Sequence, residues 1–315
     1  MRISFNAWGI FLLYFSQHLA KISVNNSRHR THILHTMSAE NISSALSGSH
    51  YEDIVALAKQ RITRKQYDGV PDMLRPAAES DYAAAQNLLG WCYQYGRGVP
   101  QDYSKAVEWF QKAANQGDID AQNNLGWCYD NGHGVQQDYA KAVEWFQKAA
   151  NQGDTDAQNN LGWCYQYGHG VQQDYAKAVK WYQKAAVQGH ANAQYKLGEC
   201  YTVGSASSYA QAVEWYKKAA EQGHANAQYK LGWCYYNGLG VQQDYAKAVK
   251  WYQKAAVQGH AKAQFKLGFC YRDGHGVSKN RDEAIKWLQN AAEQGHTDAQ
   301  KELDRMNSLW GRLFG

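Results

Sequence analysis

The sequence predicts an all-α solenoid of stacked helix pairs, on three observations. Trp109, Trp145, Trp181, Trp215, Trp251 and Trp287 are spaced 36, 36, 34, 36 and 36 residues apart. The six cysteines, Cys92, Cys128, Cys164, Cys200, Cys234 and Cys270, keep the same interval. A period of this length marks units that cannot bury an apolar face alone and do so by stacking. Composition chooses helix for each unit: only 3 prolines occur in 315 residues, while Ala, Gln, Lys and Glu recur throughout.

Residues 1–50 fall outside the period. Ala7 to Phe15 is apolar but shorter than the roughly 20 residues that span a bilayer. With Arg2 before it and Ala20 after it, the stretch reads as a weak secretory signal or anchor. Residues 25–50, rich in Ser, Asn and His, read as a disordered leader. The competing reading starts translation at Met37. The first predicts a secreted or periplasmic protein, the second a cytoplasmic one.

Residues 51–82 read as a degenerate opening helix pair. Pro71 suits a first helical turn, whereas Pro76 predicts a short or kinked second helix. Six full units follow over residues 83–295. The second unit, Gly117 to Gln152, and the third, Gly153 to Gln188, differ at six of 36 positions. Helix A of the second unit is predicted from Asp120 to Tyr129, ended by the loop Gly132-x-Gly134-Val135. Asp138 is placed to cap helix B, which runs to Asn151 and stops at Gly153. The fourth unit is two residues short and carries Gly204-Ser205-Ala206-Ser207 in place of that loop. Its helices are expected to persist. Residues 296–315 are predicted to form a capping helix, His296 to Met306, in which Asp304 replaces the helix A glycine. An apolar tail with Leu309, Trp310, Leu313 and Phe314 follows. This tail either folds back on the last repeat or meets a partner.

The pattern Ala-x-x-x-Leu-Gly-x-x-Tyr, Gly-x-Gly-Val-x-x-Asp, Lys-Ala-x-x-Trp-x-x-Lys-Ala-Ala-x-x-Gly is carried in the second unit by Ala121, Leu125, Gly126, Tyr129, Gly132, Gly134, Val135, Asp138, Lys141, Ala142, Trp145, Lys148, Ala149, Ala150 and Gly153. It resembles the Sel1-like repeat, a relative of the tetratricopeptide repeat. The resemblance implies a right-handed superhelix of antiparallel helix pairs with a concave groove lined by the A helices. It also implies a scaffold or adaptor that gathers partners, for instance in signalling, rather than an enzyme.

Helical periodicity assigns faces without the family. Ala85, Leu89 and Tyr93 lie four apart and form the core stripe of helix A, repeated as Ala121, Leu125 and Tyr129 and onward. Gly90, Gly126, Gly162, Gly198, Gly232 and Gly268 sit in the middle of helix A. Glycine there costs about 1 kcal/mol against alanine, so their register predicts close helix approach. In helix B, Ala106, Trp109, Phe110, Ala113 and Ala114 form a wide apolar face expected in the core, with Lys105, Glu108 and Lys112 opposite.

Two residues after each helix A leucine, about 200° round the helix, come Trp91, Trp127, Trp163, Glu199, Trp233 and Phe269. On the same side lie Asn87, Asn123, Asn159, Tyr195, Tyr229 and Phe265, and further along Tyr95, Tyr167 and Tyr236, among Gln94, Asp130, Asn131, Gln166, Arg272 and Asp273. Stacking these positions predicts a ladder of rings flanked by amides. Such a ladder is either a partner-binding strip or packing between repeats. The binding reading makes the protein a monomeric interaction scaffold that takes an extended peptide or a partner helix. Rings with amides also suit sugar rings, so a carbohydrate-binding module is the alternative.

Other chemistry lacks its signature. No phosphate loop, dinucleotide fingerprint, HExxH or nucleophile elbow occurs, and no cofactor is expected. The net charge of +5 is spread over 19% charged residues, so nucleic acid is not an expected partner. His133, His169 and His275 in the loops, and His190, His224, His260 and His296 after turn glycines, read as turn residues; no His or Cys pair has metal spacing. Equivalent cysteines of stacked helices fall about 10 Å apart, beyond the roughly 4.4–6.8 Å of a disulfide, and are read as buried free thiols.

Overall fold

A computed structural model describes residues 48–203 and 208–314; of residues 48, 49, 307 and 309–314 it describes only the backbone. The leader, the Met37 start, the connection 204–207 and the side chains of the apolar tail lie outside what is described. Fifteen α-helices and no strand occur among the described residues, and no helix there is long and apolar enough to cross a membrane.

The chain divides into two compact units at Gln101/Asp102. The first holds α1 (Gly48–Thr63), α2 (Val70–Glu79) and α3 (Ala83–Tyr95). Pro71 sits in the first turn of α2, and Pro76 lies inside this helix, which is only 10 residues long. The second unit begins with α4 (Tyr103–Asn115). It continues with α5 (Ile119–Asn131), α6 (Tyr139–Asn151), α7 (Thr155–Tyr167), α8 (Tyr175–Val187), α9 (Ala191–Tyr201) and α10 (Tyr209–Glu221). It ends with α11 (Ala225–Asn237), α12 (Tyr245–Val257), α13 (Ala261–Asp273), α14 (Arg281–Glu293) and α15 (Thr297–Phe314). Each of these helices packs chiefly on its neighbours in sequence, as an α-α solenoid of antiparallel pairs requires. In the fourth repeat both helices persist, α9 being cut to 11 residues. The last helix runs eight residues past Met306, so the tail continues it.

In the second to fifth repeats helix B lays a ring on the glycine of helix A, and in the sixth it lays Leu288 there. A Cβ on Gly126 would stand 2.7 Å from Phe146 Cδ1, and one on Gly162 the same distance from Tyr182 Cδ1. Gly198 meets Tyr216, Gly232 meets Tyr252, and Gly268 meets Leu288 in the same way. The ring then reaches across the joint: Phe146, Ala142 and Ala149 share one core cluster with Ala157, Leu161 and Cys164 of the next repeat. Five cysteines are buried and all six are free thiols. Burial pushes Cys92, Cys128, Cys164 and Cys270 up to about 12, so these sulfurs stay protonated and unreactive.

Polar bonds join this apolar contact at the joints between repeats. Buried Gln158 donates to the Ala150 carbonyl of the preceding helix B at 3.2 Å and accepts from Gln188 at 3.0 Å. Gln122 with Gln152, Gln194 with Gln222, Gln228 with Gln258, and Gln264 with Gln294 repeat this link. Loop glycines add backbone contact: Gly134, at φ +74°, lies where a Cβ would fall on the Tyr103 carbonyl of the preceding helix B. N-caps close both helices. Asp138 accepts from Lys141 N–H at the start of helix B, while helix A is capped by Asp118 and Asp154, then by His190, His224 and His260. The histidines after the turn glycines are thus caps, each accepting through Nδ1.

Two expectations are corrected. The tyrosine of the helix A stripe is buried in α3 but half-buried in the later repeats, where Lys141, Lys177 and Lys247 lie over Tyr129, Tyr165 and Tyr235. The helix B tryptophans Trp109, Trp145, Trp181, Trp215 and Trp251 are half-buried rather than core; only Trp287 is buried. Each of the five carries the lysine one turn later over its ring, from 3.7 Å for Lys148 on Trp145 to 4.4 Å for Lys112 on Trp109. A cation–π contact of this kind is worth about 0.5–1 kcal/mol at an exposed site. Alanine and the inner ring fill the core, leaving the indole at its edge.

Gly162→Leu drives a side chain into Tyr182 and is expected to cost about 3 kcal/mol; an unchanged urea midpoint would contradict this. The histidine caps predict a pH dependence. Burial lowers the His224 and His260 pKa values, and only unprotonated Nδ1 accepts the capping bond. Their contribution is therefore complete above about pH 6.5, the unfolded value, and is lost as pH falls through the lower folded values. Asparagine caps without titrating. His224→Asn with His260→Asn is expected to flatten the stability loss between pH 7 and 5 by about 1 kcal/mol. Equal slopes in wild type and variant would refute the cap assignment.

Candidate functional site

The helix A face divides into a polar part and an aromatic part. In α5 and α7, Asn123 and Asn159 precede Trp127 and Trp163 by one turn. Asn160 donates to Asn123 Oδ1 at 3.1 Å, and Asn192 donates to Asn159 Oδ1 at 3.4 Å, so amides link successive A helices. Asn159 is buried and Asn123 half-buried. Trp127 and Trp163 are half-buried, each with its ring near the loop histidine that follows: 4.8 Å to His133 and 4.3 Å to His169. Tyr167 is half exposed at 49% and lies 5.4 Å from Trp163.

In the later repeats the predicted rings serve the joints. Tyr195 stacks on the capping His224 at 4.9 Å, Tyr229 on His260 at 4.9 Å, and Phe265 on His296 at 4.4 Å. Tyr195 is also held at its hydroxyl by Glu199 at 2.6 Å. From the fourth repeat on, the ring of one repeat thus supports the imidazole of the next, whereas the first histidine cap, His190, follows Asn159 and bonds Asp156 at 2.8 Å. Tyr236 bonds His275 Nδ1 at 2.8 Å, and Trp233 lies 6.2 Å from Tyr209. Phe269 is covered by the Arg272 guanidinium at 4.0 Å.

In the first unit, Asn87 is buried and Trp91 half-buried, its ring 5.2 Å from the half-exposed Tyr95 and 6.3 Å from Tyr67.

Of the predicted residues, the structure brings Trp127, Asn159 and Trp163 together around one cavity of about 270 Å³. Its floor is the inner rings Phe146 and Tyr182; its walls include Asp130, Asn160 and Lys196. Asp130 had been visible only as one of several polar residues on the face. Burial pushes its carboxyl pKa upward, with His169 opposing, and its Oδ1 is buried without a hydrogen-bond partner. The Lys196 ammonium is 3.1 Å from Glu199, which also faces Lys230 at 3.8 Å. Asn160 and Lys196 were missed because they sit one residue off the aromatic register; only the neighbouring A helix brings them to the cavity. Among the described residues no group of three or more His, Cys, Asp or Glu is arranged to hold a metal.

The Sel1 repeat family model matches residues 83–118, 119–154, 155–190, 191–224, 225–260 and 261–296. Among solved structures, a Sel1 repeat protein from Oxalobacter formigenes is 33% identical with a TM-score of 0.68, over 76% of this chain and 96% of its own. The protein c5321, a protective antigen of uropathogenic Escherichia coli strains displaying an SLR fold, is 34% identical with a TM-score of 0.63. That match covers 89% of this chain and 68% of the other. A search of the curated proteins gives no significant match. Six consecutive repeats, each one helix A and one helix B, place the chain in the Sel1 repeat family.

Proposed function

We propose that the protein is an interaction scaffold that binds an extended peptide segment of a partner protein in the groove lined by its A helices. Sel1 repeat proteins are generally protein-interaction scaffolds and typically not enzymes. The observation that carries the peptide reading is the cavity framed by Trp127, Asn159 and Trp163. It pairs half-buried indoles, which bury partner side chains, with side-chain amides that can satisfy a bound backbone. At about 270 Å³ it lies just below the roughly 300–1,000 Å³ typical of small-molecule sites, a size suited to one side chain of a longer ligand. Neighbouring repeats would add contacts at the spacing of the stack. The open part of the face is the polar half, since Tyr195, Tyr229 and Phe265 are engaged by histidine caps.

Selection from a random peptide library on the intact protein tests this reading. Selected peptides are expected to quench tryptophan fluorescence and to lose about tenfold or more in affinity with Trp163→Ala, the size of a moderate hot spot. Trp181→Ala, on helix B, is expected to leave affinity unchanged. Equal losses from both variants, or selection of oligosaccharides and not peptides in a parallel screen, would overturn it.

A further inference from the structure

The cavity between the second and third repeats has a chemical sign. Its carboxyl, Asp130, makes no ion pair among the described residues, the pull of His169 aside, and the Asp130 Oδ1 atom is buried without a hydrogen bond. Three of the four asparagines around it spend an amide N–H on the protein, while the fourth, Asn159, accepts through its Oδ1. Asn131 donates to the Trp127 carbonyl at 2.9 Å, Asn160 to Asn123 and Asn192 to Asn159. The Oδ1 atoms of Asn131, Asn160 and Asn192 accept no hydrogen bond among the described residues and are the acceptors this wall can offer. The one ammonium in the wall, Lys196, is paired with Glu199. Two indoles and these acceptors around a carboxyl without an ion pair call for a planar cation with many donors.

The last repeat shows such a cation already in place. Arg272 occupies the position of Asp130, three residues after the ring. Its guanidinium lies 4.0 Å from the Phe269 centroid, with Asp273 and Glu302 each at 2.6 Å. Glu302 stands at the register of Asn160 and Lys196. The chain thus fills this part of its own A face with an arginine where the stack ends. In the second repeat the corresponding residue is an acid and the ring is the larger indole, so the cation must come from outside.

We propose that this cavity is a subsite for an arginine side chain of the bound partner, its guanidinium lying against Trp127 and Trp163 and donating to the Asp130 carboxylate and the Asn131 and Asn160 oxygens. The inference rests on the peptide reading above and adds the chemistry of one side chain. Arginine fits better than lysine because its flat fork stacks on indole while its edges donate.

The test uses the full-length protein with three capped tripeptides, Gly-Arg-Gly, Gly-Lys-Gly and Gly-citrulline-Gly, at neutral pH. The readout is the indole N–H resonance of Trp127, assigned with Trp127→Phe. Citrulline keeps the shape of arginine and removes its charge. The arginine peptide is expected to bind roughly tenfold more tightly than the citrulline peptide, the scale of a charge-assisted hydrogen bond, and more tightly than the lysine peptide. Asp130→Asn is expected to bring arginine and citrulline within about twofold. Asn160→Lys, which puts a cation in the wall, is expected to abolish the same preference should Asp130→Asn fail to fold. Equal binding of arginine and citrulline, a preference that survives Asp130→Asn, or no shift of the Trp127 resonance at the solubility limit overturns the subsite. If library peptides still lose affinity with Trp163→Ala, the scaffold reading stands without it; if they do not, both fall.

Discussion

The contact between a helix A glycine and a helix B ring is the constraint on which the rest of the molecule depends. A methyl group on Gly126 or Gly162 would stand 2.7 Å from a buried ring carbon. The ring can lie there only because the glycine has no Cβ, and its other side packs on the next repeat's Ala157 and Leu161. One side chain per repeat therefore sets the spacing inside the pair and also carries the core across the joint. Glycine's helix penalty of about 1 kcal/mol is small against burial of an aromatic side chain.

With the core assigned to alanine, leucine and the inner ring, two surfaces are left with half-buried indoles. On helix B the indoles are covered by lysines of their own helix. On helix A, Trp127 and Trp163 have no such cover and frame a cavity. The two faces share a residue type and differ in what answers it. The joints are fixed separately, by the buried glutamine links and by caps that change from aspartate to histidine as Asn gives way to Tyr or Phe. Register is thus specified by polar bonds.

Much of this was legible in the sequence. The alternation of A and B helices, the Asp138 cap, the glycine approach and the free thiols follow from period, capping chemistry and spacing, because each is a local property or a repeat of one; the end of the last helix, expected at Met306 and found at Phe314, does not. What was not legible depends on distance between repeats. The helix B tryptophans carry a strong apolar signal, yet alanines and Phe110 or Tyr182 already fill the core, so those indoles end at its edge. Buried Gln158 stands out by no local signal, because its partners, Ala150 and Gln188, lie across the joint. Tyr195, Tyr229 and Phe265 were grouped with the binding strip by helical phase alone. The histidine that covers each belongs to the following repeat. Asp130 was visible as a polar residue on the right face, but its lack of a partner is a fact of the folded neighbourhood.

The division between a structural inner ring and an open outer indole is tested most directly by urea unfolding of Tyr182→Ala beside Trp163→Ala. Tyr182 is fully buried against Gly162, whereas Trp163 is half-buried. Removing the tyrosine is predicted to cost about 3–5 kcal/mol, as for a buried aromatic, and removing the larger tryptophan less than half of that. A tryptophan variant as damaged as the tyrosine variant would mean that the A-face indoles hold the stack together, and the account of that face as a binding surface would be wrong.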